Sequence, residues 1–167
     1  MQETKWLIAR EIPRLRRYAL ALTRDPAAAD DLVQDTLERA IRKRHLWKRR
    51  GSLRGWLYRI LYHVFLNQSA RRRRRAREVD LDAVPEPVAP GSAESGLVRR
   101  DIVSAMHDLP AEQRAAIALT AVEGLSYDEA AAALDIPVGT LRSRLSRGRE
   151  RLRKTFDAAE PQLRQVK

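Results

Sequence analysis

The sequence predicts an all-α protein of two small helical domains, an N-terminal helical bundle and a C-terminal helix-turn-helix bundle, joined by a flexible linker. Three observations carry this expectation. Apolar residues recur at helical spacing on both sides of the chain's middle, and no run alternates as a half-buried strand does. The segment EVDLDAVPEPVAPGSAESG (78–96) holds three prolines, two glycines and no sustained period, which is the composition of a tether. A length of 167 residues leaves room for one ordinary domain or two small ones, each with a core near the lower limit for independent stability. The expected division is 1–75, a linker over 76–100, a second domain over 101–160 and a tail over 161–167.

Each element has a local reason. Ile12, Leu15, Tyr18, Ala19 and Leu22 share one face of a helix. Asp25 and Pro26 supply the N-cap and first turn of the next, whose stripe is Ala29, Val33, Thr36, Leu37 and Ala40. A third helix, from about Leu53 to Arg71, aligns Leu57, Ile60, Leu61, Val64 and Gln68. Amphipathic helices of this kind form an α bundle. Beyond the tether, Gly124 ends a helix, and Ser126 with Glu129 three residues on forms a capping box for a short helix over 127–134. The alanines of that short helix let another helix cross closely. A tight Asp135-Ile136-Pro137 turn follows, with Pro137 suited to a first helical position. Two helices joined by so short a turn make a helix-turn-helix.

The second of those helices lies in DIPVGTLRSRLSRGRERLRK (135–154) and carries most of the C-terminal half's positive charge. At about 100° per residue, Leu141, Leu145, Gly148 and Leu152 fall in one inward sector. Thr140, Ser143, Ser146, Arg147 and Lys154 fall opposite, with Arg144 and Arg151 flanking and Arg149 and Arg153 toward the flank and C-terminal end. A solvated face more often mixes Lys and Glu at i,i+4 spacing. Arginines with short hydroxyl side chains suit a helix that reads base edges in a groove.

The charge balance agrees. The net charge is +11, and residues 1–75 hold 20 Lys and Arg against 7 Asp and Glu, so an anionic partner is expected, nucleic acid foremost. There is no cysteine and the three histidines are scattered, which argues against disulfides, bound metal and any cofactor. No segment has signal-peptide form or approaches the roughly 20 apolar residues of a membrane span, so a cytosolic protein with no membrane insertion is expected. Paired carboxylates, a metal-ligand cluster and a phosphate-cradling glycine loop are all missing from the sequence pattern, and a non-enzymatic role is expected.

The stretch LPAEQRAAIALTAVEGLSYDEAAAALDIPVGTLRSRLSRGRERLR (109–153) closely resembles region 4 of bacterial sigma factors of the extracytoplasmic-function (ECF) group of the sigma-70 family. The resemblance rests on its Leu-Pro start, its Gly-Leu-Ser-Tyr-x-Glu-x-Ala helix start and its Pro-x-Gly-Thr-x-x-Ser-Arg recognition helix. In the other half, AAADDLVQDTLERA (27–40) is similar to a helix of region 2 in the same family, with Leu37 where the family usually has Phe. By phase, Asp31, Asp35 and Glu38 lie opposite the core stripe with Gln34 beside them, an acidic patch on a strongly basic domain. The resemblance implies that Asp31, Gln34 and Asp35 contact the clamp helices of the largest subunit of core RNA polymerase.

HLWKRRGSLRGWLYRILYHVFLNQSARRRRR (45–75) is similar to the remainder of region 2. Unpaired bases need flat surfaces to stack on and cations for their phosphates. Trp47, Trp56, Tyr58 and Tyr62, interleaved with Lys48, Arg49, Arg50, Arg54 and Arg59, offer both. Trp56 and Tyr62 lie off the core stripe, and either a structural or a DNA-facing role fits each. His63 and Asn67 stand where many family members carry Asn and an acid. The residues expected at the minus-ten promoter element are Trp47, Lys48, Arg49, Arg54, Trp56, Arg59 and Asn67. Those expected at the minus-thirty-five element are Thr140, Ser143, Arg144, Arg147 and Arg151. The run Arg71 to Arg75 suits phosphate. The resemblance implies an ECF sigma factor that binds core RNA polymerase, directs it to particular promoters and assists melting, commonly under an anti-sigma protein. A self-sufficient helix-turn-helix regulator would explain the C-terminal half but not the Asp31/Asp35 face.

Overall fold

A computed structural model of the chain describes residues 2–47, 52–78 and 97–163, and every regular element among them is helical. In order they are α1 (Gln2–Arg10), α2 (Ile12–Thr23), α3 (Pro26–Arg42), a 3-10 turn (Arg44–Leu46), α4 (Leu53–Glu78), α5 (Leu97–His107) and α6 (Ala111–Ile117). A π-helical turn (Ala118–Val122) extends α6, and α7 (Tyr127–Leu134) and α8 (Val138–Leu163) complete the chain. Two elements outrun their expected ends. α4 continues through the arginine run to Glu78, and α8 passes residue 160 to end at Leu163.

The local signals act where the sequence puts them. Arg24 closes α2 in the left-handed region at φ 61°, and Asp25 then caps α3 by accepting from the Ala27 amide at 3.2 Å. Gly124 takes φ +70° after the π turn, a backbone conformation that side chains other than hydrogen disfavour. Ser126 Oγ accepts from the Glu129 amide at 3.2 Å while Glu129 Oε2 accepts from the Ser126 amide at 2.9 Å, the full capping box. Pro137 lies one position earlier than expected. Its carbonyl accepts from the Leu141 amide at 3.1 Å, so it caps α8 instead of starting it.

The predicted stripes form the interior. Leu15, Tyr18, Ala19 and Leu22 of α2 meet Ala29, Val33 and Ala40 of α3 and Leu57, Leu61 and Val64 of α4, all buried, whereas Ile12 is exposed. Tyr18 and Tyr58 pack edge to face with ring centres 5.2 Å apart. In the C-terminal half Leu141 and Leu145 are buried, and Gly148 lets α8 approach α6. A β-carbon there would come within 2.7 Å of Ile117 Cδ1, which explains a glycine inside a helix despite its propensity cost of about 1 kcal/mol.

The two halves do not remain separate bodies. α7 packs on α4 and α6 on α2, and the buried apolar residues of both halves form one cluster. Small cores near their stability limit gain by this, since each Å² of apolar surface removed from water contributes about 25 cal/mol. Polar bonds cross the junction as well. Arg17 donates from Nε and Nη2 to the Glu123 carboxylate at 2.7 and 2.9 Å, and Tyr58 Oη donates to Glu123 Oε2 at 2.7 Å. Arg24 of the N-terminal half donates to the His107 carbonyl at 3.0 Å, and Arg114 of the C-terminal half donates to the Leu22 carbonyl at 3.1 Å. Burial, with Arg24 nearby, lowers the Arg114 guanidinium to about 10.

Candidate nucleic-acid interface

α8 follows the turn directly and packs on α7, with Leu141 and Leu145 buried, which leaves its opposite face open. Ser143, Ser146 and Arg147 are exposed there, as their phase requires, and Thr140 is half-buried. Ser143 Oγ donates to the Gly139 carbonyl at 3.1 Å, and Arg147 Nε donates to the Ser143 carbonyl at 3.3 Å. The flanks are unequal. Arg144 is drawn inward: its side chain is 18% exposed and Nη2 lies 3.0 Å from Glu112 Oε2. Arg142, on the other flank, is exposed and has no carboxylate partner among the described residues, and the same holds for Arg149.

A depression of about 300 Å³ between α7 and α8 is bordered by Tyr127, Arg142, Ser146 and Arg149. Its acid, Glu150, is held by Arg153 at 2.9 Å, so the local balance stays positive. Sequence reasoning did not single out Tyr127 or Arg142. Arg151 is exposed, and its carbonyl accepts from Thr155 Oγ1 at 3.1 Å.

The aromatics of α4, with Trp47 after the 3-10 turn, separate into two classes. Tyr58 and Tyr62 are buried, Tyr62 stacking on Phe65 with ring centres 6.3 Å apart, and neither offers a face to a base. Burial raises the Tyr62 phenol's pKa against the opposing pull of Arg144 beside it. Trp47 and Trp56 are half-buried and stack on each other at 6.5 Å. Arg54 pairs with Glu11 at 3.1 Å, Arg59 pairs with Asp135 at 3.1 Å, and Asn67 is exposed. Lys48, Arg49 and Arg50 lie outside the described residues. Arg71 to Arg75 are exposed along the C-terminal part of α4.

α3 presents its acidic side outward. Asp31, Gln34, Asp35 and Glu38 are exposed; Asp35 accepts from Gln68 Nε2 at 2.8 Å, while Gln34 Nε2 donates to Glu38 at 3.4 Å. Asp31 has no partner among the described residues, whereas the adjacent Asp30 is paired with Arg16 at 2.6 Å.

Residues 8–62 match the family model of the Sigma2 domain of PhyR, and residues 99–152 match that of Sigma-70, region 4. Over 141 residues, 84% of this chain and 78% of the relative, it is 33% identical to the ECF RNA polymerase sigma factor EcfG of Rhodopseudomonas palustris. The chain belongs to the ECF family of RNA polymerase sigma factors. It is also 37% identical over 152 residues to the ECF RNA polymerase sigma factor SigE of Mycolicibacterium smegmatis, of whose length the match spans 59%. Among solved structures, the sigma factor RpoE of Bartonella quintana, crystallised with the anti-sigma factor NepR, is 34% identical. Its TM-score is 0.81 over 94% of this chain and 98% of that one. CnrH, solved with the cytosolic domain of CnrY, is 28% identical with TM-score 0.69 over 95% of this chain and 90% of that one.

In this sigma factor, then, the acidic side of α3 lies in the segment matched to Sigma2, and the arginines of α8 up to residue 152 lie in region 4. No helix among the described residues is long and apolar enough to cross a membrane.

Proposed function

We propose that this ECF sigma factor binds core RNA polymerase through the acidic side of α3 and directs it to particular promoters, α8 reading the minus-thirty-five duplex and α4 with the residues before it holding the minus-ten strand. The observation that carries this reading is the set of exposed arginines and hydroxyls on α8, directly after a fully capped helix-turn-helix turn.

On α8 the exposed positions favour Ser143 and Arg147, joined by Arg142 and Ser146, as the side chains that meet base edges. Tyr127 and Arg149 border the same depression and suit a backbone phosphate, with Thr140 and Arg151 at the margins. Arg144, tied to Glu112, acts as a positioning residue between α6 and α8. For the minus-ten strand the stacked Trp47 and Trp56 offer the aromatic surface, and Arg54, Arg59 and Asn67, with Lys48 and Arg49, supply polar and cationic contacts. Asp31, Gln34 and Asp35 face the clamp helices of the largest polymerase subunit. The protein acts in the cytoplasm as a dissociable subunit with no catalytic step of its own. An anti-sigma protein regulates it, a reading supported by the similar sigma factor RpoE having been crystallised with the anti-sigma factor NepR.

The test is transcription reconstituted with core polymerase on a promoter library. Initiation from a defined subset of sequences, dependent on both core enzyme and this chain, is the expected result. Tight, sequence-specific duplex binding without core polymerase and no stimulated initiation would point instead to a free-standing helix-turn-helix regulator.

A further inference from the structure

The chain has three tryptophans, and the minus-ten assignment accounts for Trp47 and Trp56 alone. The third, Trp6 of α1, is linked to them through a depression of about 270 Å³ on the N-terminal bundle. Leu7, Arg10, Glu11, Trp47, Ser52 and Arg54 border it. Trp47 stacks on Trp56, and Arg10 sets its guanidinium 4.9 Å from the ring centre of Trp6. Arg10 therefore belongs both to the rim shared with Trp47 and to the face of Trp6.

α1 is held by its inner face. Ile8 is buried and Leu7 half-buried, and Glu11, which follows α1, accepts from Arg54 Nε at 3.1 Å and so ties this helix end to α4. Trp6 takes no part in that packing: it is 59% exposed, and among the described residues no other ring stacks on it. A guanidinium over one face of an indole leaves the other face open. Lys5 and Arg10 are exposed beside the ring, so its surroundings are cationic. A protein partner would call for an apolar surround, yet Trp6 is the one large apolar side chain exposed on α1 among the described residues. An open ring face among cations is instead the platform on which single-stranded nucleic acid stacks.

We infer that α1 is a third part of the strand-binding surface: Trp6, braced by Arg10, stacks on a base of the opened strand next to those held by Trp47 and Trp56, and Arg10 pairs with a phosphate between them. A guanidinium can do both, since its face covers the ring while the N–H groups at its edge donate to phosphate oxygens. Stacking accepts the face of any base, so this contact holds the strand without adding sequence preference. Trp6 precedes the segment matched to Sigma2, which begins at residue 8. The inference rests on the assignment of Trp47 and Trp56 to the minus-ten strand.

The experiment uses the full chain bound to core polymerase on a premelted promoter, with 2-aminopurine replacing one base at a time of the opened strand. Stacking on an indole quenches that probe. Trp6→Ala is expected to restore fluorescence at one position, adjacent to but distinct from those restored by Trp47→Ala or Trp56→Ala. It should also shorten the lifetime of the complex by about five- to tenfold, the lower end of the range for one base stack. Trp6→Phe should keep part of the quench. Arg10→Gln should lower the salt slope of binding by about 0.7, the share of one single-strand phosphate, and Arg10→Lys should preserve it. Because Trp6 is exposed, helicity and thermal midpoint should not change. If Trp6→Ala leaves every position quenched and the lifetime unchanged while Trp47→Ala and Trp56→Ala each release a position, α1 is no part of the surface and the minus-ten assignment stands. If Trp6→Ala leaves every position quenched and weakens core polymerase binding without DNA, the ring meets the polymerase and the inference is refuted. If none of the three substitutions releases any position, the assignment of the Trp47–Trp56 pair falls, and this inference with it.

Discussion

Arg144 Nη2 lies 3.0 Å from Glu112 Oε2, so one arginine of the recognition helix is engaged inside its own domain while Arg142, two residues earlier, is exposed. The first prediction follows from that difference. Replacing Arg142 or Arg147 with Ala should relax preference at particular minus-thirty-five positions, each by about 1–3 kcal/mol of discrimination. Replacing Arg144 should lower all promoters together and cost region 4 no more than about 1 kcal/mol, because Glu112 is largely exposed. A promoter-library transcription assay separates the cases, and position-specific loss in the Arg144 variant would reverse the assignment.

The same pair shows how far the sequence could be read. Helical phase places Leu141, Leu145 and Gly148 inward without ambiguity, and the caps at Asp25 and Ser126 are local chemistry that needs no tertiary context. Phase cannot say which flank of α8 a neighbouring helix covers, and Arg142 and Arg144 lie at comparable angles on opposite sides of the inward sector. Glu112, near the start of α6, was the available signal, but recognising it required knowing that α6 crosses α8. The junction between the halves was illegible for a related reason. Its bonds join residues far apart in sequence, such as Arg17 with Glu123, and a tether composition says nothing about whether the domains it joins touch. Tyr58 and Tyr62 look like stacking surfaces in a basic segment, but the second half of the chain helps bury them, through Glu123 on Tyr58 and Arg144 beside Tyr62.

Asp31 is exposed and unpartnered among the described residues, so Asp31→Arg should leave helicity and thermal stability unchanged while weakening core polymerase binding at least about tenfold, or 1.4 kcal/mol. Asp35→Arg also breaks the bond from Gln68, adding about 0.5–1.5 kcal/mol of destabilisation. Titration of labelled core enzyme measures the first effect and urea unfolding the second. Undiminished affinity in the folded double variant would exclude α3 as the docking surface.

Trp47 and Trp56 stack on each other while half-buried, so Ala at either position removes one plate of a pair without opening the Tyr18–Tyr58 centre of the bundle. Open-complex formation should fall by the value of one base stack, about 1–3 kcal/mol, with closed-complex binding little affected. Permanganate reactivity of unpaired thymines reads the first and gel shifts the second. Equal losses in both, with native circular dichroism, would remove the stacking role.

Glu123 provides the final test, because a buried carboxylate between the halves makes their union depend on pH. Its side chain is 1% exposed, and burial alone would push its pKa up. The hydrogen bonds from Arg17 and Tyr58, with the positive charges of Arg17 and Arg14, outweigh that and hold it below the ordinary value of 4.5. A carboxyl depressed by folding contributes stability that is complete above its unfolded pKa and is lost as pH falls through the folded one. The wild type should therefore exceed Glu123→Gln by a constant amount from pH 7 to about 5, and the two should converge below about pH 4. Charge-assisted hydrogen bonds of this kind contribute about 1.5–3 kcal/mol each, but Arg17 is 55% exposed and screened, so about 1–2 kcal/mol is expected in total. A cycle with Arg17→Ala should recover about half of it as coupling. Urea unfolding at stepped pH measures these differences, and parallel pH profiles for wild type and Glu123→Gln would show that the carboxylate adds nothing to the junction.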